Sequence, residues 1–313
     1  MRTPLRRGHV PVVAILVGAL SLPALAQARR GGPVPSPAGI KALRDLEYAV
    51  VDGNRPLLLD LYVPEKADGP LPLVVWVHGG GWEGGNKNNC PALPMCLRGY
   101  AAASVEYRLS NAATFPAQIH DCKGAIRWLR ANAAKYNLDS NRIGVWGSSA
   151  GGHLVALLGV GAGVAELEGK VGGNLDYSSR VQAVCDFFGP ADLTPLGDPN
   201  VSRGAFGPVT KLLGGPVPQK KELAALASPV THATKDAPPF LIMHGDKDNV
   251  VPLSQSQALQ DALKKAGADS TLVVVKNAGH GFAGAAIDRT VHEFFAKHLG
   301  KAAPAATSRP ASP

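Results

Sequence analysis

Ile143-Gly144-Val145-Trp146-Gly147-Ser148-Ser149-Ala150-Gly151-Gly152-His153-Leu154-Val155-Ala156-Leu157-Leu158 begins as an apolar run, crosses a cluster of small residues and resumes as an apolar stretch at helical spacing. That order predicts a strand, a sharp turn and a helix. At the turn, Gly147-x-Ser149-x-Gly151 has the spacing that holds a nucleophilic serine on a strained bend at the carboxyl end of a strand. Strand and helix pass within contact distance there, so the flanking positions need near-absent side chains. Gly147, Gly151 and Gly152 supply them. A chain with 36 glycines also produces such a pattern by chance, and the plain alternative is a glycine-rich strand-to-helix turn with no chemistry. Partners elsewhere in the chain decide between the two.

The flanking sequence alternates strands with helices. Leu43–Val51 and Leu57–Val63 read as a hairpin around the turn Asp52-Gly53-Asn54. Leu71–Val77 is an almost unbroken apolar run, as in a strand buried on both faces of a parallel sheet. Further strands are expected at Ala101–Tyr107, Val181–Phe188, Phe240–His244 and Thr271–Lys276, and helices at Ile119–Tyr136, Ser254–Ala266 and Asp288–Leu299. Leu193 to about Lys235 is rich in Pro and Gly, periodic only near Lys221–Ala227, and reads as a small, partly helical insertion over one face. The expectation is an α/β fold with a mostly parallel central sheet and helices on both faces.

In such sheets, reactive groups gather beyond the carboxyl ends of the strands. Ser149 lies there, as do His78-Gly79-Gly80-Gly81-Trp82 after Val77, Asp246 and Asp248 after Met243, and His280 after Lys276. A serine hydroxyl needs a neutral imidazole to take its proton, and His280 is the candidate base. A carboxylate behind the ring fixes its tautomer; Asp248 is the first choice, with Asp246 as a loop brace. Backbone N–H groups of Gly80, Gly81 and Ala150 are the candidate donors to an oxyanion. Trp82 and Phe282 flank the site as candidate substrate-binding walls, with simple packing as the equal alternative. His78 is expected to hold the loop, and His153 and His244 to be satisfied structural residues. Asp121 and Arg127 read as neighbours on one helix and as a structural ion pair.

These residues carry a family resemblance over roughly residues 41–300. His78–Trp82, Gly147–Gly152, His244-Gly245-Asp246-Lys247-Asp248-Asn249-Val250-Val251-Pro252 and Gly279-His280-Gly281-Phe282 together resemble the α/β-hydrolase serine esterases. Within them the chain is most similar to the acetyl xylan/feruloyl esterase-like (BD-FAE-like) group. Glu106–Ser110, Phe115-Pro116-Ala117 and Asp121-x-x-x-Ala125-Ile126-Arg127-Trp128 are also similar to that group's connection before the serine turn. The resemblance implies an α/β-hydrolase fold and a Ser-His-Asp carboxylic-ester hydrolase working through an acyl-enzyme, without cofactor or metal. Its implied substrate is an acetyl or feruloyl ester of plant xylan. The alternatives are a general short-chain carboxylesterase or lipase-like enzyme and, in a different class, a non-catalytic binding protein on a hydrolase scaffold.

The address comes from the amino terminus. Arg2, Arg6 and Arg7 precede an apolar run from Val10 to about Ala26 and the sequence Ala24-Leu25-Ala26-Gln27-Ala28. Residues 1–28 therefore read as a signal peptide, residues 29–40 as a flexible lead-in, residues 41–300 as the catalytic domain and residues 301–313 as a disordered tail. A membrane anchor is the competing reading, weakened by Pro11 and Pro23. The protein is expected to be secreted or periplasmic, with no stable membrane insertion after cleavage. Losing residues 1–28 removes three arginines and no acids, taking the formal charge from +8 to +5 over the 313-residue chain. With no block of consecutive like charges, nucleic acid is excluded as a partner; a small-molecule or polysaccharide ester is the expected one. Export permits disulfides among Cys90, Cys96, Cys122 and Cys185. A Cys90–Cys96 loop is the candidate, with Cys122 and Cys185 expected as buried free thiols. Amino-terminal sequencing of the exported protein is expected to start at Gln27 or Arg29, and an intact Met1 would remove the signal peptide.

Overall fold

The computed structural model describes residues 13–15 and 35–300. The expected signal peptide apart from Val13–Ile15, the first part of the expected lead-in and the expected tail lie outside the described residues. Among the described residues nine strands form one sheet: β1 (Val13–Ile15), β2 (Ile40–Val51), β3 (Arg55–Pro64), β4 (Leu71–Val77), β5 (Ala101–Val105), β6 (Leu138–Ser148), β7 (Ala183–Phe187), β8 (Phe240–Gly245) and β9 (Ser270–Val275). Their spatial order is β1-β9-β8-β7-β6-β4-β5-β3-β2. The β2–β3 and β3–β5 pairs are antiparallel and the remaining pairs parallel. The crossing of β4 and β5 makes a switch in strand order beside β6. This is the α/β-hydrolase fold expected from the sequence. Among the described residues no helix is long and apolar enough to cross a membrane.

Each buried strand feeds two cores. On β4, Leu73, Val75 and Val77 point to one face while Val74 and Trp76 point to the other, the two-residue period of a pleated strand. The first face is covered by α1 (Ala117–Ala131), α2 (Ala150–Val160) and, later in the chain, Ser254–Ala266, through residues such as Ile119, Leu154 and Leu259. Short helices follow α2: α3 (Ala165–Glu168), α4 (Leu193–Leu196), α5 (Arg203–Leu213) and α6 (Lys221–Leu226), before α7 (Ser254–Ala266) and α8 (Ala285–Leu299). The second face is covered by α8 through Ile287, Val291, Phe295 and Leu299, and by a 3-10 turn at Leu93–Arg98. Burying side chains on both faces explains why the strands read as continuous apolar runs rather than alternating ones.

Two expectations change, and a third gains detail. Asp121 and Arg127 do not pair: six residues span 1.7 turns of a helix at about 3.6 residues per turn, which aims them at different neighbours. Asp121 is fully buried and is gripped by Arg108, whose Nη2 lies 2.7 Å from Oδ1 and whose backbone N donates to Oδ2 at 2.8 Å. Arg127 instead meets Glu168 at 2.6 Å, which Lys123 shares at 2.7 Å. All four cysteines are free and buried, so the Cys90–Cys96 disulfide is absent. Each of that pair donates to a different carbonyl, Cys90 to Ala103 and Cys96 to Tyr62. Burial pushes the Cys96 thiol up to about 12 and the Cys90 thiol higher still. Finally, the insertion contains a full helix, α5, capped by Ser202, whose Oγ accepts the N–H of Ala205 at 3.0 Å.

Asp121→Ala would leave the Arg108 guanidinium with only the exposed Asp52, at 3.4 Å, as a carboxylate partner, so the loss should fall below the ~3–5 kcal/mol typical of breaking a fully buried pair. Urea denaturation should show that loss, and a midpoint within error of wild type would show that Arg108 finds another partner.

Candidate active site

The serine turn is set by backbone contact. Ser149 has φ of 54° and ψ of −121°, a strained conformation for a residue with a side chain. Its N–H donates to Phe187 O at 2.9 Å, and its carbonyl accepts the N–H of His153 at 3.0 Å. Gly151 makes the crossing possible: a Cβ there would sit 2.1 Å from Val77 O and 2.6 Å from His78 O. The helix that begins after Ser149 therefore runs directly against the end of β4, bringing Ser149 beside the glycine loop.

That loop is held from several sides. His78 Nδ1 lies 2.8 Å from Gly79 O, and its ring stacks on Tyr107 at 4.4 Å. Gly80 has φ of 116° and accepts the N–H groups of Glu83 and Gly84 on its carbonyl, both at 3.0 Å. Trp82, also left-handed at φ of 58°, donates its indole N–H to His153 Nδ1 at 3.2 Å. The other nitrogen of His153 then carries the hydrogen and donates to Ala227 O at 2.7 Å. Burial lowers both His78 and His153 to about 4, so both rings are neutral near pH 7 and act as fixed dipoles.

Two loops complete the site. His280, after β9, has Nε2 2.9 Å from Ser149 Oγ and Nδ1 2.7 Å from Asp248 Oδ2. The Asp248 side chain is fully buried and that of His280 is 20% exposed. Burial by itself would raise the Asp248 carboxyl. Hydrogen bonds from His244 and His280 and from the N–H groups of Val250 and Val251 outweigh it and hold the carboxyl well below the usual carboxylate range. Asp246 takes the bracing position instead, accepting the N–H of Asn277 at 2.6 Å with Lys276 at 3.6 Å. With an ionised acid on one nitrogen, an imidazole whose other nitrogen faces a hydroxyl can take that hydroxyl's proton.

Ser149, His280, Gly80, Gly81, Ala150 and Trp82 line one cleft of about 530 Å³. A larger recess of about 790 Å³ lies at the opposite ends of the strands, among Ile40, Leu71, Cys96 and Arg142. It holds no nucleophile–base pair, so the smaller cleft is the candidate active site. Phe282 is outside the cleft lining; it packs on Phe187 at 5.0 Å and Phe188 at 5.2 Å, and a near neighbour of His280 in sequence thus lies half-buried against the core. Trp82 is only 2% exposed, so it both lines the cleft and packs.

The sequence reading missed the wall opposite the serine. Gly204, Ala205 and Pro208 of α5 line the cleft with Phe188, Val250 and Val251. Ser202 Oγ donates to Val250 O at 2.6 Å, and Lys211 Nζ stands 2.9 Å from Glu83 Oε1, tying α5 to both rims. Ser202 as a cap, with Ala205, Val209, Leu212 and Leu213 on one face, was the available signal; Gly204, Gly207 and Pro208 obscured it. Among the described residues no group of three His, Cys, Asp or Glu side chains could hold a metal ion.

Residues 59–263 match the BD-FAE family model. The chain is 31% identical to "Esterase LipC" of Mycobacterium tuberculosis over 80% of its own length and 64% of that protein's, so it spans less than two thirds of this relative. A solved "truncated form of carbohydrate esterase from gut microbiota" is 33% identical, with a TM-score of 0.76 over 87% of this chain and 100% of that one. The "bifunctional GH43-CE" of Bacteroides eggerthii is 35% identical, with a TM-score of 0.75 over 82% of this chain and 38% of that one.

Beneath the cleft, Asp186 is fully buried, with Oδ1 accepting the N–H of Gly189 at 2.9 Å and Oδ2 without a partner. Burial pushes its carboxyl up to about 6, against the pull of Gly189 and His244. A folded value above the unfolded one, about 3.9, means that stability is lost as pH rises through the window from about 4 to 6 and stays lost above it. Asp186→Asn keeps the acceptor for Gly189 and removes the charge. Its unfolding free energy relative to wild type should improve by up to about 3 kcal/mol between pH 4 and pH 7; a difference that does not change with pH would place the proton elsewhere.

Proposed function

The chain belongs to the BD-FAE family, and from that premise we propose that it is a serine carboxylic-ester hydrolase that removes acetyl or feruloyl groups from plant polysaccharide such as xylan, outside the cytoplasm. The observation that carries the reading is the continuous line from Ser149 Oγ through His280 to Asp248, at 2.9 and 2.7 Å, opening on a cleft bounded by the glycine loop. The likeness to solved proteins called carbohydrate esterases supports the polysaccharide part. The order of basic residues, apolar run and small-residue site within residues 1–28 supports export.

The steps follow from the geometry. Asp248 accepts the Nδ1–H of His280, leaving Nε2 with its lone pair toward Ser149 Oγ. As Oγ attacks the ester carbonyl carbon, Nε2 takes the hydroxyl proton, and the developing oxyanion meets the N–H groups of Gly80, Gly81 and Ala150. Collapse of the tetrahedral species breaks the bond to the alcohol oxygen, which receives the proton from His280, and leaves Ser149 acylated. Water then repeats the sequence: His280 takes its proton, the hydroxyl attacks the acyl carbon, and the carboxylic acid departs as Ser149 recovers its proton. A second reading, a general short-chain carboxylesterase, is favoured by Ala205 and Pro208 of the α5 wall, whose side chains offer an acyl chain apolar surface and carry no hydrogen-bonding group for a sugar.

Ser149→Ala should abolish turnover of p-nitrophenyl acetate and the covalent mass shift given by a serine-directed phosphonate. Asp248→Asn should lower kcat by about 10⁴-fold, since the imidazole loses the partner that sets its tautomer, whereas Asp246→Asn should leave kcat within a few fold. Comparing acetylated xylan, methyl ferulate and short p-nitrophenyl esters tests the substrate. Acetate release from xylan no faster than from the artificial esters would leave only the short-chain reading.

A further inference from the structure

A second imidazole reaches the acid of the site from behind. His244 ends β8 and is fully buried. Its Nε2 lies 2.8 Å from Val251 O and 3.2 Å from Asp248 Oδ2, while Nδ1 lies 2.7 Å from Ser256 Oγ. Both neighbours of Nε2 are acceptors, so that nitrogen carries the hydrogen, donating to Val251 O with Asp248 Oδ2 close beside it. In the neutral ring Nδ1 then accepts the Ser256 hydroxyl proton. Asp248 is therefore surrounded by donors. Oδ1 receives the N–H groups of Val250 at 2.8 Å and Val251 at 2.9 Å, and Oδ2 lies between His280 Nδ1 at 2.7 Å and His244 Nε2 at 3.2 Å. A carboxylate fixed at both oxygens cannot swing, and the imidazole that leans on it cannot either.

We propose that His244 is a positioning residue for the hydrolytic reaction: it anchors Asp248 Oδ2, and through it the orientation of His280 toward Ser149. The proposal rests on the reading of Asp248 as the acid behind His280. His244 touches neither substrate nor serine, and its effect passes wholly through the carboxylate. Its second contact, Val251 O, belongs to the same loop and to a residue lining the cleft, so one ring nitrogen sets both the acid and the wall beside it. The Ser256 contact, made from α7, keeps the ring from rotating.

Substitution by amide side chains separates the two nitrogens, because a glutamine Nε2 reaches the place of the imidazole Nε2 and an asparagine Nδ2 reaches only that of Nδ1. His244→Gln, His244→Asn and His244→Leu are compared with wild type, Ser149→Ala and Asp248→Asn on p-nitrophenyl acetate, with thermal melts and phosphonate titration of intact sites in each sample. His244→Gln is expected to keep kcat within about threefold, while His244→Asn and His244→Leu lose about 10²-fold in kcat with KM within twofold, the size of a misplacement near one ångström. If the leucine variant does not fold, the glutamine–asparagine comparison carries the test. Wild-type kcat in a folded His244→Asn, or a His244→Gln as slow as His244→Asn, overturns the inference while leaving the hydrolase reading intact. Wild-type kcat in Asp248→Asn would instead overturn the reading on which the inference rests.

Discussion

The approach of α2 to the end of β4 is the constraint on which the site depends. Two main chains meet at Gly151, where the carbonyl oxygens of Val77 and His78 occupy the space a side chain would need. The contact fixes how far the serine turn stands from the glycine loop, and that separation is one that neither element could set alone. It also accounts for the backbone of Ser149, held at φ of 54° by the carbonyl of Phe187 on one side and the N–H of His153 on the other. Strain of this kind persists only where the surroundings over-determine it; here β4, β7 and α2 all do so.

Around that crossing, buried histidines do different work according to what surrounds them. His78 and His153 are neutral struts: one closes on Gly79 and stacks on Tyr107, the other links Trp82 in the glycine loop to Ala227 after α6. Their burial without a carboxylate is what lowers them to about 4. His280 differs in having an ionised acid on one nitrogen and a hydroxyl on the other, with an edge open to the cleft. His244 shares the acid but not the opening. Four imidazoles around one cleft thus divide into loop supports, the proposed base and the proposed anchor by their partners and exposure rather than by their chemistry.

Charge is treated in the same local way. Asp121 and Glu168 are answered by guanidinium and ammonium groups from other parts of the chain, whereas Asp186 has only a backbone N–H on one oxygen and none on the other. Removing one side of an answered pair leaves a buried charge, while an unanswered carboxyl holds its proton to a higher pH, about 6 for Asp186, and costs stability once it ionises. The insertion closes the site by a third means: α5 rests on the Val250 carbonyl through Ser202 and on Glu83 through Lys211, so the cleft wall is pinned at both of its ends.

Much of this was legible in the chain. The apolar runs, the serine turn, the hairpin and the strand ends carrying His78, Asp248 and His280 follow from local pattern, because strand period, glycine placement and turn chemistry act over a few neighbouring residues. What pattern does not carry is direction in space. Asp121 and Arg127 share a helix but face different elements; Phe282 is next but one to His280 yet packs half-buried against the core; Cys90 and Cys96 are close in sequence but point at separate carbonyls. The sequence by itself determined the order of elements and the residues offered at one rim. Only the tertiary structure decided which of them meet, because distances of 2.7 to 2.9 Å between residues 32 and 131 positions apart are set by the packing of the whole sheet and not by any local segment.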